Sequence, residues 1–196
     1  MTEHQRIQQK YCKPHENVCD SFCGIGPFVL PIAKKTHSFV FGNDLNPDSY
    51  QYLQKNVVLN KVESKVMCFN MCARDFVGES LKVLNCDETM GQMIQLQNAE
   101  INVRLKEKVD KHKSLGNDEE TRLLENRPRF FSHYIMNLPN TAIEFLDAFI
   151  GIYDEYPKLR NSVMPVVHCH CFSSAEDKKK DVVEVSLKDY IMKMFM

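Results

Sequence analysis

The sequence predicts an α/β fold, in which a mainly parallel, Rossmann-like sheet is covered by helices on both faces. Two observations predict it. An apolar strand ends in an acid, Asp20, and runs into a glycine turn, Gly24-Ile-Gly26, that opens a helix. A second strand, from Ser38 to Asn43, then delivers another acid, Asp44, within the reach of one strand–helix–strand unit. With 196 residues, the chain has the length of one domain of this class.

Apolar spacing and turn signals predict the remaining elements. Pro31 and Pro47 fall in the first turns of their helices, where a missing amide hydrogen costs little. The predicted helices cover residues 2–11, 28–35, 46–60 and 141–150, and a charged helix begins at Ala175 and extends to Leu187. The further predicted strands cover residues 65–70, 133–136 and 165–172.

The middle and the end of the chain depart from this alternation. From residue 78 to residue 129 the strand–helix rhythm is lost, and residues 98–113 show helical spacing among many charges. This predicts a solvated, partly helical insertion, with nucleic-acid contact as the alternative. After Leu187 nothing supplies the two strands that normally close a doubly wound sheet, so we expect the last strands to be missing and the fifth strand to be left with an unpaired edge.

Composition excludes some classes of protein. The 25 basic and 26 acidic residues give a formal charge of -1, so an RNA-binding surface has to be a local basic patch. No apolar run approaches the roughly 20 residues that cross a bilayer, and the polar N-terminus lacks a signal-peptide core. These features predict a soluble intracellular protein.

The eight cysteines are expected to be reduced thiols, since several lie inside apolar strands. The run His168-Cys-His-Cys171 suggests zinc at first sight. Neighbouring side chains alternate faces on a strand, however, so the two histidines and the two cysteines point in opposite directions. We therefore predict no metal site, and zinc is the alternative.

The glycine turn restricts the ligand. It lacks the third glycine of the dinucleotide fingerprint and a lysine suited to a phosphate, which argues against a pyrophosphate. A nucleoside without phosphate fits better, and S-adenosylmethionine is the common one. Asp44 then lies where its carboxylate accepts both ribose hydroxyls. A purely structural turn is the alternative.

A set of motifs that keep their order across nearly the whole chain makes the prediction specific. They are Thr2-Glu-His, Asp20-Ser-Phe-Cys-Gly-Ile-Gly-Pro-Phe28, Asn43-Asp-Leu-Asn-Pro47, Leu59-Asn-Lys-Val62, Phe69-Asn-Met, and Met136-Asn-Leu-Pro139 with Ala142-Ile-Glu-Phe-Leu146. The chain closely resembles the eukaryotic tRNA (guanine(37)-N1)-methyltransferases. The resemblance implies an S-adenosylmethionine-dependent enzyme that methylates N1 of the guanosine 3′ of the anticodon. It also implies tRNA as partner, a monomer, and the cytoplasm, nucleus and mitochondrial matrix as compartments.

The resemblance also assigns residues. Those that match cofactor-contacting positions are His4, Phe22, Asp44, Leu45, Cys72, Ala73 and Asn137. Glu3 matches the general base, which suits the chemistry because guanine N1 must lose its proton before it is methylated. Asn137 ends a strand before a proline-stiffened turn, where its amide is placed to hold the base edge or the methionine moiety. A turn cap is the alternative role for Asn137.

Two departures from the family pattern carry expectations. Cys72 stands where the family usually has aspartate, and a thiol is a poor hydrogen-bond acceptor for the adenine amino group, so we expect weakened cofactor affinity. Residues 1–196 are expected to be the catalytic domain alone, without the N-terminal tRNA-binding domain and an arginine-bearing segment. Two alternatives stay open: a wybutosine-pathway aminocarboxypropyl transferase, and an inactive truncated module that binds a ligand or partner.

Overall fold

The computed structural model describes residues 3–36, 38–86, 97, 128–160 and 164–172. These residues build one five-stranded sheet in which every strand pair is parallel. The strands are β1 (Asn17–Asp20), β2 (Val40–Asn43), β3 (Val66–Phe69), β4 (Phe131–Asn137) and β5 (Val166–His170). Their spatial order is β3-β2-β1-β4-β5, so the chain winds outwards from β1 in both directions. The predicted doubly wound α/β fold is confirmed.

Helices cover both faces of the sheet. They are α1 (Glu3–Arg6), which continues into a π-helical turn (Ile7–Tyr11), then α2 (Val29–Lys35), α3 (Pro47–Leu59), α4 (Ala73–Asn85), a 3₁₀ helix (Ala142–Phe149) and α5 (Pro157–Arg160). The neighbours Val18 and Cys19 on β1 belong to two different buried clusters, because side chains alternate across a strand. The Val18 cluster packs the π-helical turn, α2 and α3, and the Cys19 cluster packs α4 and the 3₁₀ helix.

Local contacts fix the beginning of α3 and the end of α2. The Asn46 side chain accepts a hydrogen bond from the Asp48 amide at 2.9 Å, and Pro47 occupies the first position of α3. Thr36 ends α2, where its hydroxyl donates to the carbonyl of Ile32 at 2.9 Å. These contacts join residues close together in the sequence, and their positions follow from local sequence.

The predicted loss of rhythm at residue 78 is wrong at its beginning. Helix α4 runs through Gly78 and ends at Asn85, so residues 78–85 belong to the core fold. Six of its seven buried side chains recur with the spacing of one helical face: Ala73, Phe76, Val77, Ser80, Leu81 and Leu84. Helix α5 was not predicted. The helices predicted over residues 98–113 and from Ala175 lie outside the described residues.

Strands β3 and β5 are the outer strands of the sheet that the described residues form. On β3, the amide of Cys68 donates to Gln97 Oε1 at 2.9 Å, and Gln97 Nε2 donates to the carbonyl of Val66 at 2.8 Å. The Gln97 amide group thus takes the place of a neighbouring strand at this edge.

All eight cysteines fall in the described ranges and are free thiols. Cys19 and Cys68 are buried inside their strands, as the sequence predicted. The same prediction is wrong for Cys169, which is half-buried, and for Cys171, which is exposed and follows the end of β5. Within the ranges given above, no helix has the combination of length and apolar character that a bilayer crossing requires.

Candidate functional site

The carboxyl ends of the parallel strands bring several predicted site residues to one rim of the sheet. Asp44 follows β2, Cys72 follows β3, and Asn137 ends β4. Asp20, which was not predicted as a site residue, ends β1 at the same rim. Because the strands are parallel, the loops that leave these ends lie side by side, at the rim where ligands bind in doubly wound folds.

The glycine turn after β1 gives the rim its open surface. Gly24 and Gly26 have φ angles of 53° and 98°, in the left-handed region that favours glycine. A Cβ atom added to Gly24 would point into open space, so the backbone is accessible there. A Cβ atom on Gly26 would lie 2.8 Å from Leu53 Cδ1 and 3.0 Å from Leu30 Cγ. Gly26 therefore lets the turn pack closely on α2 and α3, whereas Gly24 leaves room for a ligand.

Asp44 joins the glycine turn to the loop after β2. Its Oδ2 accepts a hydrogen bond from the amide of Gly24 and its Oδ1 accepts one from the amide of Asn46, both at 2.9 Å. The side chain is half-buried, and each carboxylate oxygen can accept more than one hydrogen bond. Asp44 is thus held rigidly at the turn and keeps acceptor capacity for the hydroxyls of a ligand.

Asn43 ties three of the rim loops together, a role that sequence reasoning missed. Its Nδ2 donates to the carbonyls of Ser21 and Met71 at 3.2 and 3.0 Å, and its Oδ1 accepts from the amide of Met71 at 3.0 Å. The residue is almost fully buried. The signal was present in the sequence, because an asparagine that ends a buried apolar strand needs partners for its amide.

Asn70 fixes the backbone on either side of Leu45 in the same manner. Its Nδ2 donates to the carbonyls of Asp44 and Leu45 at 2.7 and 3.0 Å. The Leu45 side chain is 69 % exposed, so it offers an apolar surface beside the Asp44 carboxylate. An exposed leucine held on a fixed backbone suits one face of a flat heterocycle. Asn70 was not predicted as a site residue.

Asp20 is fully buried beside the glycine turn. Burial raises the pKa of this carboxyl to about 8, which the backbone hydrogen bond from Phe22 opposes and the nearby Asp44 reinforces. The Phe22 amide donates to Asp20 Oδ1 at 3.3 Å, whereas Oδ2 has no hydrogen-bond partner among the described residues. Burial thus favours the protonated, neutral form of this acid at the site.

Cys72 and Ala73 form the beginning of α4. Cys72 occupies the N-cap position, and its side chain makes no capping hydrogen bond. Its thiol is half-buried and Ala73 is buried, so both lie against the rim. The backbone amides in the first turn of α4 therefore receive no hydrogen-bond acceptor from the Cys72 thiol.

Phe22 and Asn137 occupy the β1 and β4 sides of the rim. The Phe22 ring meets the Phe145 ring edge to face, with centroids 5.0 Å apart. Asn137 pairs in register with His170, and it is half-buried. The turn after it is fixed by Leu138, whose carbonyl accepts from Ala142 at 2.7 Å.

Glu3 and His4 are the two remaining predicted site residues. Their backbone forms α1, and their side chains lie outside the described residues. Their assigned roles stay predictions.

His168, Cys169 and His170 alternate faces on β5, as the sequence predicted, whereas Cys171 follows the end of the strand. His168 Nε2 lies 3.1 Å from His133 Nδ1, and His133 Nε2 lies 3.1 Å from Glu16 Oε2, all on the α1 side of the sheet. Cys169 packs instead against the Cys19 cluster on the opposite face. Over the described ranges, no group of three or more histidine, cysteine or acidic side chains is placed to hold a metal ion.

Comparison with known proteins shows what the chain is similar to. Residues 1–87 match the family model described as TRM5/TYW2 methyltransferase domain. The tRNA (guanine(37)-N(1))-methyltransferase of Batrachochytrium dendrobatidis is 40% identical over 93% of this chain and 38% of its own length. The protein of the same name from Candida albicans strain SC5314 is 38% identical over 93% of this chain and 40% of its own length. The chain thus spans about two fifths of the length of these relatives.

A solved structure supports the fold. The chain matches Pyrococcus horikoshii TYW2, crystallised in complex with MeSAdo, with a TM-score of 0.57 and 20% sequence identity. The match covers 98% of this chain and 50% of that protein. At this identity the likeness extends to the arrangement of strands and helices alone.

Proposed function

We propose that the chain carries the methyl-transfer site of a tRNA (guanine(37)-N1)-methyltransferase, and the match of residues 1–87 to the TRM5/TYW2 methyltransferase domain supports this. Relatives of that name at 38 and 40% identity support this reaction. The observation that carries the proposal is the Asp44 carboxylate, held by the amides of Gly24 and Asn46 at an open glycine turn. That arrangement suits the ribose of an adenosyl group.

The residues present fit S-adenosylmethionine. The open side of Gly24 leaves space for the ligand, and Asp44 offers acceptors for two ribose hydroxyls. The exposed Leu45 side chain suits the adenine ring. Asp20 Oδ2 is a buried polar atom without a protein partner in the described ranges, so a polar group of the ligand would satisfy it. Cys72 offers adenine only a weak acceptor, which supports the expectation of reduced affinity.

The proposed chemistry needs little from the protein beyond placement and one proton acceptor. When bound, S-adenosylmethionine supplies a methyl group already activated on a sulfonium. Guanine N1 carries a proton at neutral pH, so its lone pair becomes available for the new N–C bond only as the proton leaves, and Glu3 is assigned as the acceptor. Asn137, whose amide offers both a donor and an acceptor, is assigned to hold the base edge or the methionine moiety. The rigid rim loops then keep the reacting atoms aligned.

Two further parts of the proposal rest on the family resemblance. We assign tRNA as the substrate and expect the chain to act as a monomer in the cytoplasm, nucleus or mitochondrial matrix. Sedimentation of the purified chain and fractionation of cells that express it test these assignments.

The experiment first titrates the chain with S-adenosylmethionine by calorimetry and then incubates both with unmodified tRNA. We expect heat of binding, and 1-methylguanosine at position 37 on mass analysis of the nucleosides. The variant Asp44→Ala should raise the Kd for S-adenosylmethionine about a hundredfold. The substitution removes the charged carboxylate that accepts hydrogen bonds from two ribose hydroxyls. Asp48 is an exposed acid in the first turn of α3 and was not predicted as a site residue, so Asp48→Ala is the matched control and should bind like the wild type.

The other outcomes separate the competing functions. A nucleoside that gains an aminocarboxypropyl group would assign the chain to the wybutosine pathway. Binding without any modified nucleoside would favour a ligand-binding module. Equal binding by Asp44→Ala and the wild type would contradict the proposed site.

A further inference from the structure

Arg74, in the first turn of α4, makes a set of contacts that the proposed reaction does not use. Its Nε lies 3.0 Å from both carboxylate oxygens of Asp147, and a terminal guanidinium nitrogen donates to the carbonyl of Glu144 at 3.0 Å. The guanidinium carbon lies 4.3 Å from the centre of the Phe145 ring. Arg74 thus binds the 3₁₀ helix by charge, by a backbone hydrogen bond and by stacking.

These contacts extend into the candidate site through two aromatic rings. Phe145 meets Phe22 edge to face at 5.0 Å, and the Phe22 amide donates to the buried carboxyl of Asp20. Phe22 also lies two residues before Gly24, where the backbone is open. The Phe145 ring thus links Arg74 to the Phe22 ring at the rim.

The ion pair contributes little to stability by itself. The side chains of Arg74 and Asp147 are 43 and 50 % exposed, and pairs of such exposure contribute weakly in water. The guanidinium is a rigid planar fork, however, and it fixes direction better than an ammonium does. The geometry points to positioning, and not to fold stability, as the role of Arg74.

We propose that Arg74 is a positioning residue that holds Phe145 and, through Phe145, the Phe22 ring. In this position the Phe22 ring binds the sulfonium of S-adenosylmethionine more strongly than the uncharged thioether of S-adenosylhomocysteine, which is left after methyl transfer. This inference rests on the proposed function. An aromatic ring attracts a ligand cation through the negative face of its π system. The positive charge of Arg74 is neutralised by Asp147, so it does not repel a cation bound nearby. The consequence is preferential release of the product once the methyl group has left.

The test measures two dissociation constants for each variant of the full chain, one for S-adenosylmethionine and one for S-adenosylhomocysteine. In Arg74→Ala and in Asp147→Ala, we expect the preference for the charged ligand to fall about two- to fivefold. Arg74→Lys keeps the charge but not the fork, so it should restore only part of the preference. Lys82→Ala, which breaks the exposed Lys82–Glu79 pair of the same helix, is the control and should leave the preference unchanged.

Each remaining result counts against the inference. A folded Arg74→Ala variant with an unchanged preference would overturn it, as would an equal fall in Lys82→Ala. Should Arg74→Ala melt far below the wild type, the result of Asp147→Ala decides instead. A wild-type chain that binds neither ligand would overturn the proposed function together with this inference. If the wild type binds both ligands and the variants keep the same ratio of the two dissociation constants, the inference alone is overturned.

Discussion

Asp20 and Asp44 are acids that end neighbouring strands, but their surroundings differ. Asp44 is half-exposed and accepts hydrogen bonds from two backbone amides. Asp20 is fully buried with one oxygen unpartnered among the described residues, and burial raises its pKa to about 8. The two carboxyls thus suit different tasks: Asp44 can accept hydrogen bonds from hydroxyls, and Asp20 can donate one near neutral pH.

The raised pKa of Asp20 predicts a pH dependence of stability. In the unfolded chain this carboxyl loses its proton near pH 3.8, whereas in the folded chain it keeps the proton up to about pH 8. Between these values the folded state binds more protons, so its contribution to stability is lost as pH rises. The free energy of unfolding of the wild type minus that of Asp20→Asn should therefore fall by about 1.4 kcal/mol for each pH unit between pH 5 and pH 7.

Urea unfolding of both proteins at several pH values measures this difference. Asn keeps an acceptor for the Phe22 amide and cannot ionise, so it is a matched neutral replacement. Parallel pH profiles for the two proteins would show that Asp20 is ionised in the folded chain at neutral pH.

At the scale of elements, α4 shows how a local signal can mislead. Its buried residues follow helical spacing from Ala73 to Leu84, but Gly78 in the middle resembles a break. Gly78 has no atom within 4 Å of the place where a Cβ would lie, so it faces open space and weakens the helix only through its own flexibility. Burial of the apolar face on either side compensates for that cost.

This position predicts a stabilising substitution. Gly78→Ala should raise the free energy of unfolding by about 0.5 to 1 kcal/mol, because alanine restricts the unfolded chain and fits the helix without a clash. Thermal unfolding followed by circular dichroism measures the change.

Gly26→Ala is the contrasting variant. Gly26 has a φ of 98°, and a Cβ there would lie 2.8 Å from Leu53, so this substitution should destabilise the chain. A Gly78→Ala protein that melts below the wild type would contradict the open environment of Gly78.

At the scale of the whole molecule, two buried clusters on either side of one sheet divide the cysteines into accessible and inaccessible sets. Cys12, Cys19, Cys23 and Cys68 are buried. Burial raises the pKa of the Cys12 thiol to about 12 and raises the pKa values of the other three as well. The thiolate is the reactive form of cysteine. These four thiols are therefore protected from reaction because reagents do not reach them and because their raised pKa values keep them protonated.

Thiol labelling of the native chain at pH 7.5 tests this division. Cys86 and Cys171 are exposed and should react first, and Cys72 should follow because it is half-buried. The four buried thiols should react only on unfolding. Saturating S-adenosylmethionine should slow the labelling of Cys72 and leave that of Cys86 unchanged, which mass analysis of peptides resolves. Rapid labelling of all eight thiols would contradict a closed core.

The sequence by itself determined the type and order of most elements, the glycine turn and the placement of Asp44. These features depend on periodicity and on turn chemistry, which act between residues close together in the chain. The pairing of Asn46 with the Asp48 amide is such a contact.

Only the tertiary structure decided how the rim is held together. The Asn43 hydrogen bonds to Ser21 and Met71 join loops more than 20 residues apart, and the Arg74–Asp147 pair spans 73 residues. The raised pKa of Asp20 likewise depends on burial by the whole fold. Such contacts and such desolvation arise only when distant loops meet at one edge of a parallel sheet, and no local pattern in the chain encodes their distances.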